Sequence, residues 1–173
     1  KELGLTVADK AESREICFVP DNDYASFIEQ RVSEESFREG NIVNTVGEVL
    51  GKHRGYPAFT IGQRKGLNLG GLKEPHYVTA IDPDKNEITV GLKSGLYRRE
   101  FFANKVNWCL PRQEVFEAQV QIRYLHNGST ARVTPISGER VRVEFLEPQL
   151  SITPGQSAVF YLNDCIVGGG WIE

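Results

Sequence analysis

The chain has 173 residues, 40% of them hydrophobic, and a formal net charge of −3 from 20 Lys and Arg against 23 Asp and Glu. That size suits one domain or two small ones with modest cores, and the net charge excludes a generally basic nucleic-acid binder. No apolar run approaches the roughly 20 residues of a membrane helix, and no basic-apolar leader opens the chain, so neither membrane nor secretion is expected.

The three cysteines, Cys17, Cys109 and Cys165, are far apart and lack metal-ligand spacing. An odd, dispersed set argues against a disulfide framework and fits a reducing cytoplasm. With Lys1 first and no methionine, the chain is expected to be a piece of a longer protein.

Lys1–Lys10 reads as the end of a preceding element, with Leu3, Leu5, Val7 and Ala8 apolar. Glu12-Ser13-Arg14-Glu15-Ile16-Cys17-Phe18-Val19-Pro20 then places one sulfur inside a short apolar run. Ile16–Val19 is expected to be extended. Taken alone, Cys17 is either a buried core thiol, the commoner fate of a free cysteine, or a reactive one. Asp23 has the character of an N-cap, and Tyr24, Phe27, Ile28 and Val32 recur at helical spacing, which predicts a helix of about two to three turns. Ile42–Leu50 reads as one strand with Gly47 as a bulge.

Gly51–Gly71 is dense in glycine and holds Lys52, Arg54, Arg64 and Lys65 without a single acid. The first fifty residues, in contrast, are strongly acidic. A local positive field can attract phosphate to an acidic protein. Tyr56 and Phe59 interleave with these cations, a combination that suits an RNA-contacting loop as well as a solvated turn region. Arg64 and Lys65 are the candidate phosphate contacts. The stretch contains no Gly-Lys-Ser/Thr, which excludes a Walker-type phosphate loop.

Tyr77–Ile81 and Glu87–Leu92 bracket Asp82-Pro83-Asp84-Lys85-Asn86, which predicts a hairpin. Phe101–Trp108 is a further strand. Leu110-Pro111-Arg112 has the composition of a linker and places a boundary near residue 110. Beyond it, Val115–Tyr124, Ala131–Pro135, Val141–Phe145, Ala158–Leu162 and Cys165–Ile172 alternate between turn signals, which predicts a small all-β barrel. The expected fold is therefore mainly β: a small central α+β domain over 21–110, then a β-barrel over 111–173, with 1–20 as the tail of a preceding domain.

No paired carboxylates and no metal cluster stand out, so no structural metal is expected. Any of His53, His76 and His126 has the chemistry to act as base to Cys17, but spacing singles out none of them. His76 is expected to be packed or solvated. Cys109 and Cys165 lie in apolar strand surroundings and are expected to be core thiols.

Three stretches, taken together, carry a resemblance. Ser13-Arg14-Glu15-Ile16-Cys17-Phe18-Val19, Phe59-Thr60-Ile61-Gly62-Gln63-Arg64-Lys65-Gly66-Leu67 and Thr153-Pro154-Gly155-Gln156-Ser157-Ala158-Val159-Phe160-Tyr161 resemble, in order, the bacterial tRNA-specific 2-thiouridylases. Gly168-Gly169-Gly170 also matches, and the resemblance covers essentially the whole chain. It implies an upstream PP-loop domain that binds ATP, a central domain, and a C-terminal barrel similar to a translation-factor domain. It implies replacement of the C2 oxygen of the wobble uridine of tRNA by sulfur, with ATP activating that oxygen and a protein persulfide delivering the sulfur.

Cys17 matches the family's persulfide-carrying cysteine. The resemblance also implies an upstream cysteine that closes a disulfide with Cys17 to release the sulfur, and a sulfur-donating partner such as a cysteine desulfurase or a sulfur relay protein. For tRNA contact it points to Arg123, Tyr124 and Gln156, where a cation, a stacking face and a turn amide have plain physical uses. The piece alone is expected to be inert, because the ATP site lies upstream. A second reading, from another class, is a non-catalytic RNA-binding module. A third is a cysteine hydrolase, which requires a histidine brought beside Cys17 by the fold.

Overall fold

The computed structural model describes residue 19 and residues 24–32, 37–111, 114–124 and 126–173. Cys17, the Asp23 cap and most of the expected Ile16–Val19 strand lie outside the described residues. The chain is mainly β. The predicted helix is present as α1 (Tyr24–Glu29), a short element that packs near a turn of 3-10 helix at Tyr56–Ala58.

The central part is a four-stranded sheet built from β1 (Gly40–Val43), β2 (Val49–His53), β3 (Tyr77–Asp82) and β4 (Glu87–Gly91), in the order β2-β1-β4-β3. The β3–β4 hairpin is the predicted one. The single strand expected over 42–50 is instead the β1–β2 hairpin. The Asn44 side chain accepts the Val46 and Glu48 N–H groups, at 3.0 and 2.9 Å, and Gly47 takes a φ of 86°. Such a side-chain-closed turn with a left-handed glycine reverses the chain where a bulge was expected.

Ile42, Leu67, Val78, Ile88 and Val90 form the buried core of this part, with Tyr56, Phe59, Ile61 and Leu69 packed against it. The glycine-rich stretch therefore turns its aromatic residues inward. Tyr56 and Phe59, half-buried, thus serve as packing against the sheet: the small sheet has one apolar face, and the loop supplies its cover.

His53 ties the sheet together. It is 3% exposed, its Nε2 donates to the Asn86 carbonyl at 3.2 Å, and its Nδ1 accepts the Gly55 N–H at 3.1 Å. Asn86, itself buried, donates from Nδ2 to the Glu39 carbonyl at 3.0 Å. Burial holds the His53 pKa below its ordinary value of 6.5.

The second part is a closed antiparallel barrel of β5 (Tyr97–Trp108), β6 (Phe116–Gln121), β7 (Ser129–Ser137), β8 (Arg140–Leu150), β9 (Ser157–Leu162) and β10 (Cys165–Ile172). The order around it is β10-β5-β8-β7-β6-β9. Alternate residues of all six strands fill the interior, among them Phe101, Val120, Val133, Val143, Phe145 and Phe160. Trp108 packs edge-on against Phe116 and tilted against Phe160.

Because β5 is a barrel strand, the boundary placed near residue 110 falls within the barrel. The Leu110-Pro111-Arg112 stretch joins two strands of one sheet. Pro111 lacks an N–H and ends pairing, which from sequence looks the same inside a domain as between domains. Cys109 and Cys165 are exposed, not core. Cys109 lies just past the end of β5, and Cys165 is the first residue of β10, beside the Asn163-Asp164 turn. Both sit where the packed interior stops.

The barrel closes at Gly168-Gly169-Gly170. A Cβ on Gly169 would meet the Ala158 carbonyl oxygen at 2.7 Å, and one on Gly170 the Asn104 carbonyl oxygen at 2.6 Å. Backbone cannot yield as a flexible side-chain tip can. Gly170→Ala is thus expected to destabilise the barrel by about 1–3 kcal/mol. Gly138→Ala, which meets nothing within 4 Å, is the control. Urea unfolding of the two variants side by side measures the difference.

The His53 shift carries a sign. Its folded pKa lies below the unfolded value, so the unfolded chain binds more protons at acidic pH, and the contribution is complete above about 6.5 and lost as pH falls below it. The expected result is a thermal midpoint that drops on acidification from about pH 7.5 to about pH 5.5, with an NMR titration midpoint for His53 below its ordinary value. A midpoint at or above that value overturns the assignment of His53 as a neutral buried donor.

Candidate nucleic-acid interface

Arg123, Tyr124 and Gln156 come from two turns about thirty residues apart in sequence, yet together with Ser157 they line one surface depression of about 520 Å³. The first turn follows β6. Ile122 is 1% exposed and anchors the end of the strand. Arg123 is half-buried, and its Nη1 donates to the Leu150 carbonyl at 2.8 Å. The guanidinium is thereby held against the end of β8.

The His126 N–H closes the turn onto the Arg123 carbonyl at 3.1 Å. The His126 Nε2 and the Ser129 hydroxyl both converge on Gln149 Oε1, at 3.0 and 3.1 Å. These contacts make His126 a support for the turn. Tyr124, at the turn's outer edge, is 67% exposed. An exposed ring on an anchored turn is a ready stacking face.

The second turn precedes β9. Gly155 has a φ of 82°, and the Gln156 N–H reaches back to the Thr153 carbonyl at 3.3 Å. Two further bonds tie this turn to the last strand: Gly155 N–H to the Ile172 carbonyl and Ile172 N–H to the Gln156 carbonyl, each at 2.8 Å. The Gln156 side chain is exposed. One cation, one ring and one amide therefore share a rigid rim.

Arg64 and Lys65 lie elsewhere. Both are exposed on the glycine-rich loop, and Arg64 borders a separate depression with Lys73 and His76. The loop is fixed to β3 by Gly62 N–H to the Val78 carbonyl at 2.8 Å and Val78 N–H to the Gln63 carbonyl at 2.9 Å. The Gln63 amide adds a bond to the Lys65 carbonyl at 3.0 Å. Among the described residues neither Arg64 nor Lys65 is in an ion pair, whereas Lys52 pairs with Glu39 at 2.6 Å. The structure does not bring Arg64 and Lys65 into the depression of Arg123.

Ser157 is the lining residue that sequence reasoning missed. Its signal was available: it opens β9 one residue before buried Ala158, so alternation turns it outward. No group of three or more His, Cys, Asp or Glu able to hold a metal occurs among the described residues, and no helix among them is long and apolar enough to cross a membrane. Cys109 and Cys165 are free thiols, outside the depression. Cys17 lies outside the described residues.

Residues 25–92 match the tRNA methyl transferase PRC-barrel domain, and residues 98–172 match the aminomethyltransferase beta-barrel domain. The chain is 49% identical over 175 residues to the tRNA-specific 2-thiouridylase MnmA of Carboxydothermus hydrogenoformans, covering 100% of this chain and 47% of that protein. It is 47% identical over 171 residues to the protein of the same name from Geotalea uraniireducens, covering 98% of this chain and 45% of that protein. With that of Chlorobium chlorochromatii it shares 45% over 177 residues, covering 100% of this chain and 49% of that protein. The chain spans about half the length of the curated relatives it matches.

Proposed function

Because the chain belongs to the tRNA-specific 2-thiouridylase family, we propose that it is the tRNA-holding part of an enzyme that replaces the C2 oxygen of a wobble uridine with sulfur. The observation that carries this reading is the convergence of Arg123, Tyr124 and Gln156 on one depression of the barrel rim. A cation suits a phosphate, an exposed phenol ring suits an unstacked base, and a turn amide suits a base edge. Arg64 and Lys65 add sequence-independent phosphate contacts from the glycine-rich loop.

ATP is assigned to a part of the protein N-terminal to this chain. The loop described here does not fit a triphosphate. Its Gly62 and Gln63 N–H groups already bond the Val78 and Thr60 carbonyls, whereas a phosphate cradle needs free N–H groups. When bound upstream, ATP supplies activation of the uridine oxygen as a leaving group.

Cys17 is the proposed sulfur carrier. Its thiolate takes the outer sulfur of a donor persulfide, the donor leaving as a thiolate, as in thiol–disulfide exchange. The donor is a cysteine desulfurase or a sulfur relay protein. The terminal sulfur then attacks C2 of the activated uridine, a C–S bond forms, and the C2–O bond breaks as the activated oxygen departs as the leaving group. An upstream cysteine attacks the Cys17 sulfur, forming a disulfide and releasing the transferred sulfur to the base. Such chemistry belongs to the cytoplasm, where tRNA and a thiol pool are both at hand.

Two outcomes test this. In the complete enzyme, Cys17→Ser is expected to abolish 2-thiouridine formation and to leave tRNA binding nearly unchanged, because a hydroxyl forms no persulfide and differs little in volume. Mass spectrometry after incubation with a desulfurase and labelled cysteine locates the sulfur, with exposed Cys109 and Cys165 as controls. Label on either of those but not on Cys17, or full thiolation by Cys17→Ser, removes Cys17 from the reaction and leaves an RNA-binding module.

The joint substitution Arg64→Ala and Lys65→Ala is expected to weaken tRNA binding. It should also flatten the slope of log K against log salt by about 0.7–0.9 for each phosphate that is no longer neutralised. An unchanged slope means those charges are only solvated.

A further inference from the structure

Trp171 is 52% exposed near the end of β10. Its neighbour Ile172 is 3% exposed and fills the barrel interior, so strand alternation turns the indole outward. Its cross-strand partners are Ser157 on β9 and Asn104 on β5. Residues directly opposite in an antiparallel ladder share a face. Ser157 is also a wall of the depression that holds Arg123, Tyr124 and Gln156. The indole thus stands one strand over from that depression, about 5 Å away in the ladder direction. The two hydrogen bonds between Ile172 and the Gly155–Gln156 turn fix Trp171 relative to Gln156.

We propose that Trp171 is a second stacking platform for single-stranded RNA, continuous with the depression of Arg123, Tyr124 and Gln156. The proposal rests on the tRNA-binding reading of that depression. Among the described residues no other ring and no cation packs on the indole. Its cross-strand neighbours are a hydroxyl and an amide, so it is an isolated flat face within a polar row. A protein partner is favoured by a contiguous apolar patch, which this row lacks. A flat face flanked by hydrogen-bonding groups suits an unpaired base, and a backbone that passes Tyr124 brings further bases within reach of Trp171.

The test uses the 173-residue chain and an anticodon stem-loop RNA at low salt, with circular dichroism to confirm folding of each variant. Trp171→Ala is expected to weaken binding about fivefold or more, and Trp171→Phe, which keeps a ring, by less than about threefold. The chain has two tryptophans, and the other, Trp108, is packed inside the barrel end. RNA is therefore expected to quench wild-type fluorescence strongly and that of Trp171→Phe weakly.

Unchanged affinity in Trp171→Ala, with weakened binding in Arg123→Ala and Tyr124→Ala, overturns the inference and leaves the reading of the depression standing. Weakened binding in Trp171→Ala with unchanged binding in Arg123→Ala and Tyr124→Ala removes the depression from RNA binding and overturns a platform continuous with it. Equal weakening in the Ala and Phe variants overturns stacking as the role of Trp171. Absence of RNA binding by the wild-type chain overturns both.

Discussion

Three consecutive glycines in β10 let three barrel strands approach more closely than any side chain allows. At Gly169 and Gly170 the positions where a Cβ would stand lie within 2.7 Å of backbone oxygens of Ala158 and Asn104. Closure there removes the open edges that a six-stranded sheet would otherwise expose. It also sets the register of β10 against β5 and β9, with irregularities at 169–171 and 166–168 that absorb the tight packing. The rim is a consequence of that register. β10 ends where it does, so Ile172 reaches the Gly155–Gln156 turn, and Gln156 faces the turn that carries Arg123 and Tyr124.

The central sheet depends on a different device. Its core is small, and the glycine-rich loop must fold over the sheet to cover it. Tyr56, Phe59, Ile61, Leu67 and Leu69 go inward, which leaves Arg64 and Lys65 at the outer turn. Burial of the apolar residues is the driving force for this cover, and presentation of the two cations is its by-product. At the far end of the sheet, His53 and Asn86 replace apolar packing by a hydrogen-bonded pair that joins the β3–β4 turn to the start of β1. Protonation of His53 places a charge on a buried ring, so acid weakens this end of the sheet.

The barrel strands and the β3–β4 hairpin were legible because alternation and turn residues are local signals. What failed depended on contacts distant in sequence. Asn44 reads as an ordinary polar residue until its side chain is seen to close a turn, so β1 and β2 merged into one strand. Phe101–Trp108 is legible as a strand, but nothing local says which sheet it joins, so the boundary went to the nearest proline. Cys109 and Cys165 sit among apolar neighbours, yet each lies at a strand end where the interior stops. Tyr56 and Phe59 have the same composition signature whether they face a base or a core. For the site, the motifs supplied Arg123, Tyr124 and Gln156. Their convergence, and the place of Ser157 beside them, needed the ladder between β6, β9 and β10.

Net charge is a poor guide to what such a chain binds, and the arrangement of its ion pairs explains why. Lys52 is matched by Glu39, Arg140 by Glu173, and Arg142 by Glu100 and Glu144. The Arg140 guanidinium holds the Glu173 carboxyl below its ordinary pKa, and Glu100 pushes Arg142 above its own, so these acids and bases stay charged together. Exposed pairs of this kind add little to stability. They do cancel one another's field beyond about a Debye length. Among the described residues Arg64, Lys65 and Arg123 stand outside these pairs, and the Arg123 guanidinium is oriented by the Leu150 carbonyl. Net charge therefore does not decide what such a surface attracts: at short range the field is set by the side chains that lie nearest.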